Sequence, residues 1–214
     1  MFNPLRTLDD FNRYAVNRKD QMEVIRQSLY DFQAYAMAGQ TSLTFFSLPI
    51  GQGGKTKADT NLTTAGSLPA PIRFAVQTME VYFIPGVFPS GAPAAAGIDN
   101  HVNDIWEVMT GTAFLELVIG SKPYLTEAPL LRLPPAARMD GFAGMSDATT
   151  AAAALFSRTS HLHACGALYR IDPVLLLEPN QNFSVTINWP TAIGISVAGR
   201  IGVVMQGVQA RNSQ

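Results

Sequence analysis

The residues of this sequence best suited to chemistry lie in one short stretch, His161-Leu162-His163-Ala164-Cys165. On a β-strand, side chains two residues apart share a face, so His161, His163 and Cys165 would follow one another about 7 Å apart. Imidazole and thiolate groups are good zinc ligands. The simpler interpretation is two histidines and a small buried thiol on an ordinary strand. We therefore expect no metal and no cofactor, with these three residues as the candidate ligands.

Catalysis by other means finds little support in the sequence. No GxSxG motif is present, and no base or orienting carboxylate stands at a suggestive spacing from Cys165. The stretch Gly51–Thr56 contains Gly, Lys and Thr but lacks the spacing of a phosphate loop, because Gly51 precedes Lys55 by four residues instead of six. We predict that the protein is not an enzyme.

The elements that would position the histidines are β-strands. Near the end of the chain, apolar residues alternate with Ser184, Thr186 and Asn188, which is typical of a half-buried strand. The short apolar run Val174–Leu177 stands between two prolines and predicts a buried strand. These two strands would form either a β-hairpin or a corner between two sheets. A further strand is predicted at Gly199–Ala210.

The middle of the chain adds further strands, and its long connections are rich in Pro and Gly. One of these strands should carry a bulge near Thr78, and another should lie at a sheet edge because it contains two prolines. Residues 136–145 are predicted to form a loop, and 148–156 could form a short helix. Seven to nine strands suit an all-β, two-sheet sandwich with Greek-key or jelly-roll wiring. The predicted strands here are Thr41–Leu48, Ile72–Ile84, Ala113–Ile119, Lys122–Leu133 and Ser160–Ile171, with Asp104–Met109 ambiguous between helix and strand.

Residues 7–38 differ from the rest, because their apolar residues recur at alternating spacings of three and four. This heptad pattern predicts a helix, and Thr7 with Asp10 resembles a capping box. We therefore divide the chain into an N-terminal α-helical arm, residues 1–39, and a jelly-roll-like β-sandwich, residues 40–214. As one helix or two, the arm would pack on a neighbouring subunit, on copies of itself or along its own domain. Its predicted contact residues are Leu8, Phe11, Met22, Ile25, Leu29 and Phe32.

Composition favours self-association. Hydrophobic residues are 47% of the 214 and charged residues 14%, against roughly 25% charged in an average domain. Such a surface is most simply covered by copies of the same chain, although a monomer with an uncharged polar surface would also fit. Trp106 and Tyr124, in or beside predicted loops, could be exposed contact residues.

The charge and the apolar pattern exclude several kinds of partner. The net charge of −1 argues against general electrostatic binding to nucleic acid. No apolar run is long enough to span a membrane as a helix, and the N-terminus lacks the apolar core of a secretory signal. We therefore expect synthesis in the cytoplasm.

The closing segment resembles a known group of proteins. YRIDPVLLLEPNQNFSVTINWP, followed by RIGVVMQGVQAR, is similar to the last strands of jelly-roll proteins in bacteriophage virions. In that group a strand ending in a Pro-Asn turn leads into NF-x-V and then into RI-x-V. The likeness covers Tyr169–Arg211, about a fifth of the chain. It implies a capsid subunit or a capsid decoration (cement) protein, usually a trimer, and it supplies no catalytic residues.

The resulting expectation is a structural virion protein made in the host cytoplasm. It would assemble as a homotrimer and contact other capsid proteins. Two rival hypotheses remain. One is a carbohydrate- or receptor-binding module of a phage tail or fibre that uses Trp106 and Tyr124. The other is a cupin-like metalloprotein that uses His161 and His163, although Glu178 is too distant for the cupin pattern and His101 falls in a predicted loop.

Overall fold

A computed structural model describes residues 22–84, 86, 101–135, 137–145, 156–164, 168–195 and 198–212. Within these ranges the chain forms ten β-strands, one α-helix and one short 3₁₀ helix. In order they are β1 (Met22–Tyr35), β2 (Ser42–Phe45), β3 (Arg73–Ile84), α1 (His101–Thr110), β4 (Phe114–Ile119), β5 (Lys122–Glu127), the 3₁₀ helix (Leu130–Arg132), β6 (Ala137–Met145), β7 (Phe156–Ala164), β8 (Tyr169–Leu177), β9 (Phe183–Asn188) and β10 (Gly199–Asn212).

Eight of these strands form two antiparallel sheets of four. The first sheet has the order β1-β10-β3-β8, and the second has the order β2-β9-β4-β5. β6 and β7 form a separate two-stranded hairpin between β5 and β8 in the sequence. The prediction of an all-β sandwich is therefore confirmed.

The pairing of the eight sandwich strands is nested along the chain. β1 pairs with β10, β2 with β9, β3 with β8 and β4 with β5, so the first half of the set folds back on the second half. Two further pairings, β10 with β3 and β9 with β4, complete the sheets. β8 and β9 lie in different sheets, so the segment between them is the predicted corner and not the predicted hairpin.

The core lies between the two sheets and follows from alternation along the strands. Phe183, Val185 and Ile187 of β9 are buried, while the residues between them are half-buried on the outer side. β4 shows the same pattern. Full burial of each large apolar side chain stabilises the fold by about 1.5–3 kcal/mol relative to its exposure.

An aromatic cluster fixes α1 against one end of the core. The ring of the buried Tyr35 packs edge-on against Trp189 and Phe83, with centroids 5.5 Å apart in each pair. Trp189 also donates its indole N–H to the backbone oxygen of Val108 in α1, at 3.3 Å. The stretch that was ambiguous between helix and strand is therefore a helix, and the core holds it through this bond.

The predicted N-terminal helix is wrong over Met22–Tyr35, which forms β1. This strand pairs with β10 along all 14 of its residues. Leu29, Asp31 and Tyr35 point inward, and a ladder of that length outweighs local helix preference. These residues therefore belong to the sandwich. Residues 7–21 lie outside the described ranges, and a helix there stays a prediction.

Other local expectations meet mixed outcomes. The bulge near Thr78 is confirmed, because β3 shifts register between Val76 and Thr78 against both neighbours. The predicted edge strand is β5, which is shorter than expected. Residues 137–145, predicted as a loop, form β6 because β7 supplies their hydrogen-bond partners. The strand predicted at Ser160–Ile171 is two strands, β7 and β8, and residues 148–155 lie outside the description.

Candidate interaction surfaces

Two of the predicted metal ligands lie on the hairpin of β6 and β7, and the third lies outside the described residues. His161 and His163 lie on β7, where β6 places Asp140 and Arg138 opposite them. Cys165 lies outside the described residues. Within the part of the chain that is described, no three His, Cys, Asp or Glu residues lie close enough together to hold a metal ion. The side chains of His161 and His163 are not among those described, so the metalloprotein stays a hypothesis.

The predicted contact residues in β1 have different surroundings. Leu29 is buried in the core of its own chain, so it has no surface to offer a neighbour, and its assignment as a contact residue is wrong. Ile25 is half-buried on the inner side of β1. Phe32 is half-buried on the outer side, where its ring lies over Gly202 and a Cβ at that position would overlap it.

The other predicted contacts lie at the ends of the chain and on α1 and β5. Met22 begins β1 and Trp106 lies in α1, but their side chains are not among those described. Leu8 and Phe11 precede the described residues. Tyr124 on β5 is 51% exposed, as predicted for a contact residue.

Residues 59–61 cover part of the free edge of β1, and we call them the edge cover. Asn61 accepts the Tyr30 N–H through its side-chain oxygen at 3.1 Å and donates its amide to the Ser28 oxygen at 2.7 Å. The Phe32 N–H donates to the Asp59 oxygen at 2.7 Å. An uncovered edge strand would pair with other chains, so this cover suppresses edge-to-edge association along that part of β1.

A buried ion pair anchors the loop that carries the edge cover. Asp31 of β1 is fully buried, and it accepts hydrogen bonds from the Lys55 ammonium and from the Phe46 N–H, the latter at 2.6 Å. Lys55 also donates to the Phe32 oxygen at 2.9 Å. Phe46 has a φ of 65°, an unfavourable conformation for a residue with a side chain, and the bond to Asp31 holds it there.

The surroundings of this ion pair shift the pKa of Asp31 in two opposing directions. Burial raises the pKa of Asp31, while the hydrogen bonds from Lys55 and Phe46 oppose that rise. Because Lys55 is buried and paired, it is not presented to a ligand phosphate. A second ion pair fixes the outside of the same loop, where Arg200 contacts Asp59 at 2.5 Å and lies over the Phe32 ring.

The outer face of the first sheet has polar groups that satisfy one another. Glu80 is fully buried although it lies on this face, and it accepts hydrogen bonds from Gln206 and from the Tyr82 hydroxyl, the latter at 2.7 Å. Arg26 reaches Gln206 at 3.5 Å. This face therefore has few donors or acceptors left for a ligand.

The outer face of the second sheet has a different character, and we call it the open face. Strand register places Thr44, Thr186, Glu116 and Thr126 side by side across all four strands. We call these four residues the threonine row. Their side chains make no hydrogen bond or ion pair with any other described residue.

β5 is one of the two edge strands of the second sheet, and it ends in a small polar cluster. The Tyr169 hydroxyl donates to Glu127, and Arg132 contacts the same carboxylate at 2.8 Å. Burial raises the pKa of Tyr169, and the neighbouring Glu127 carboxylate adds to that rise. The cluster ties the end of β5 to β8, so it stabilises the border of the open face.

Comparison with protein-family models, with curated proteins and with solved structures finds no match. Among the residues described, no helix is both long and apolar enough to cross a membrane. The functional argument therefore rests on the residues of the chain itself. The sequence did not indicate Asp31, Lys55 or Asn61 as important, because their partners lie 15 to 33 residues away along the chain.

Proposed function

We propose that this chain is a structural virion protein, either a capsid subunit or a capsid-stabilising decoration protein. The observation that carries the proposal is the nested pairing of the eight sandwich strands. A long hairpin rolled into two sheets has this wiring, which supports a jelly roll, the architecture common in viral capsids and also in lectins and cupins. The resemblance of Tyr169–Arg211 to closing strands of phage virion proteins selects the first of these.

The surface chemistry supports assembly through faces and loops. Only 14% of residues are charged, which leaves little repulsion between copies. Large apolar side chains are exposed at several places, among them Met37, Leu48 and Ile84. The edge cover on β1 disfavours open-ended strand pairing. Closed, symmetric association through such patches is the usual form of a homo-oligomer, and we propose a trimer.

The proposed arm can now be delimited. Because β1 begins at Met22 and is paired along its full length, removal of residues 1–39 would destroy the first sheet. Any separate assembly arm is therefore confined to residues 1–21. A deletion that ends at residue 21 leaves the sandwich strands intact, so its effect on assembly can be attributed to the arm.

Electron microscopy of assembled material tests the proposal. The full chain and the chain lacking residues 1–21 would each be expressed, fractionated on a density gradient and imaged. We expect the full chain to give regular capsomers, shells or sheets of uniform subunits, and the deletion to weaken or change them. Irregular aggregates alone, or a full chain that stays monomeric, would count against a structural virion role. Unchanged assembly of the deletion would remove only the arm.

A further inference from the structure

The two outer faces of the sandwich differ in how their polar groups are used. On the first sheet, Glu80 accepts hydrogen bonds from Gln206 and from Tyr82. On the open face, the threonine row has hydroxyls and one carboxylate without bonds to other described residues. A solvated sheet face usually carries Lys, Arg and Glu, but the outward positions here have a single charge, Glu116. These positions are Ser42, Thr44, Phe114, Glu116, Val118, Pro123, Tyr124, Thr126, Ser184, Thr186 and Asn188.

The geometry of the open face suits an extended ligand. Neighbouring strands lie about 4.8 Å apart, so the four residues of the threonine row span about 14 Å. Phe114 and Val118 flank Glu116 along β4 and extend the face by a similar distance. The result is a flat, half-exposed surface in which one carboxylate lies between the hydroxyls of Thr126 and Thr186.

An exposed aromatic ring borders this surface. Tyr124 lies where β5 shifts register against β4, between the partners of Leu117 and Val118. Bulges of this kind re-aim a side chain, and Tyr124 is 51% exposed. Its neighbour Thr126 pairs with Glu116, so the ring lies diagonally across from the carboxylate, about 7–8 Å away between backbone positions.

We propose that the open face binds a neutral glycan. The Tyr124 ring provides an apolar platform for the C–H face of a sugar ring, since aromatic side chains combine an apolar body with a polar tip. Glu116, Thr126 and Thr186 then hydrogen-bond the hydroxyl groups of the sugar. Apolar platforms with a few well-placed polar groups are the usual composition of small-molecule sites. This activity is distinct from assembly and does not depend on the proposed virion role.

The charge of the face selects neutral glycans over other partners. No Lys or Arg occupies its outward positions, so phosphate, sulfate and nucleic acid have no cation to pair with, and Glu116 repels them. A polymer of neutral sugar rings matches the row of hydroxyls along its length.

Affinity electrophoresis tests the proposal with the full chain. Native gels would contain dextran, galactomannan or laminarin as neutral probes, and alginate as an anionic probe. We expect at least one neutral polysaccharide to retard the protein and alginate to leave it unaffected. Tyr124→Ala should weaken the retardation constant by about tenfold or more, as for an aromatic anchor. Glu116→Gln should weaken it by a smaller factor.

Two controls make the result decisive. Leu131→Ala removes an exposed apolar side chain, 40% exposed, from the 3₁₀ helix and not from a strand of the open face, and it should bind as the unmodified chain does. Thermal unfolding would verify that each variant is folded. The proposal is overturned if no neutral polysaccharide retards the protein or if Tyr124→Ala binds normally. It is also overturned if Thr186→Arg separates an oligomer into monomers, because a second copy of the chain would then cover the face.

Discussion

Replacement of Lys55 by Met is the most direct test of how the buried ion pair between Asp31 and Lys55 stabilises the fold. Lys55 is buried beside the fully buried Asp31 carboxylate and also bonds the Phe32 oxygen. Met keeps the length and apolar stem of the side chain but removes the ammonium. Asp31 would retain the Phe46 N–H as its only hydrogen-bond donor from the pair's surroundings. Removal of one partner of a buried ion pair typically costs about 3–5 kcal/mol, because the other charge is left uncompensated.

The cost should depend on pH in a defined direction. Burial raises the pKa of Asp31 above its ordinary value of 3.8, so the folded chain holds this proton more tightly than the unfolded chain. The group therefore favours folding most below that value, and its contribution declines as the pH rises through the raised pKa. Without Lys55 the pKa of Asp31 rises further. The difference in stability between the two proteins should thus be largest at neutral pH and shrink in acid.

Urea unfolding at about pH 7 and about pH 4, followed by circular dichroism, measures both effects. Arg211→Met is the matched control, because Arg211 forms an ion pair with Glu23 in which both side chains are nearly half exposed, and its loss should cost under about 1 kcal/mol. The double variant with Asp31→Asn should recover part of the stability lost in Lys55→Met. A loss of stability no larger than that of the control, or one that does not change with pH, would refute the stabilising role of the buried ion pair.

Three further variants test other parts of the fold. Asn61→Ala removes two hydrogen bonds to β1 and should lower the free energy of unfolding in urea by about 2 kcal/mol. Light scattering should also show more aggregation of this variant, and unchanged aggregation would argue against the edge cover. Gly207→Ala places a Cβ against the Ala75 carbonyl oxygen at the bulge and should cost about 3 kcal/mol; an unchanged thermal midpoint would contradict that packing. Trp189→Phe removes the hydrogen bond to α1 and reduces the volume of the side chain, so it should lower the free energy of unfolding by about 2–3 kcal/mol. An unchanged thermal midpoint would mean that Trp189 does not anchor α1.

Of the strands in the last third, β9 was predictable because it buries one face only. β9 alternates cleanly, since the core takes one side and the open face the other. β1 was missed because both of its faces bury apolar residues. Leu29 points into the core, while Val24 packs on the outer side against Ala75 and Val208. Burial on two sides removes the period-two signal, and the remaining apolar spacing imitates a helix.

β6 was missed for another reason. Its sequence, ARMDGFAGM, contains two glycines and no β-branched residue, so it lacks local strand preference. Its nine-residue pairing with β7 supplies the hydrogen bonds instead. Local propensity cannot reveal a strand that exists only because a partner is present.

The interaction surfaces were partly predictable. The exposure of Tyr124 was expected from its position in or beside a predicted loop. The threonine row could not be predicted, because it depends on the register of four strands, and β2 and β9 lie far from β4 and β5 in the sequence. The ion pair between Asp31 and Lys55 likewise depends on a loop that returns to β1. A short pattern of residue types does not encode such a return.

The central claim is that this chain is built to associate with copies of itself. Light scattering behind a sizing column gives the absolute mass of the purified protein without assumptions about its shape. The account predicts a closed oligomer, with a mass of about three times the 23.1 kDa of one chain, or larger regular assemblies. A single species of 23.1 kDa that persists as the protein concentration is raised would contradict it.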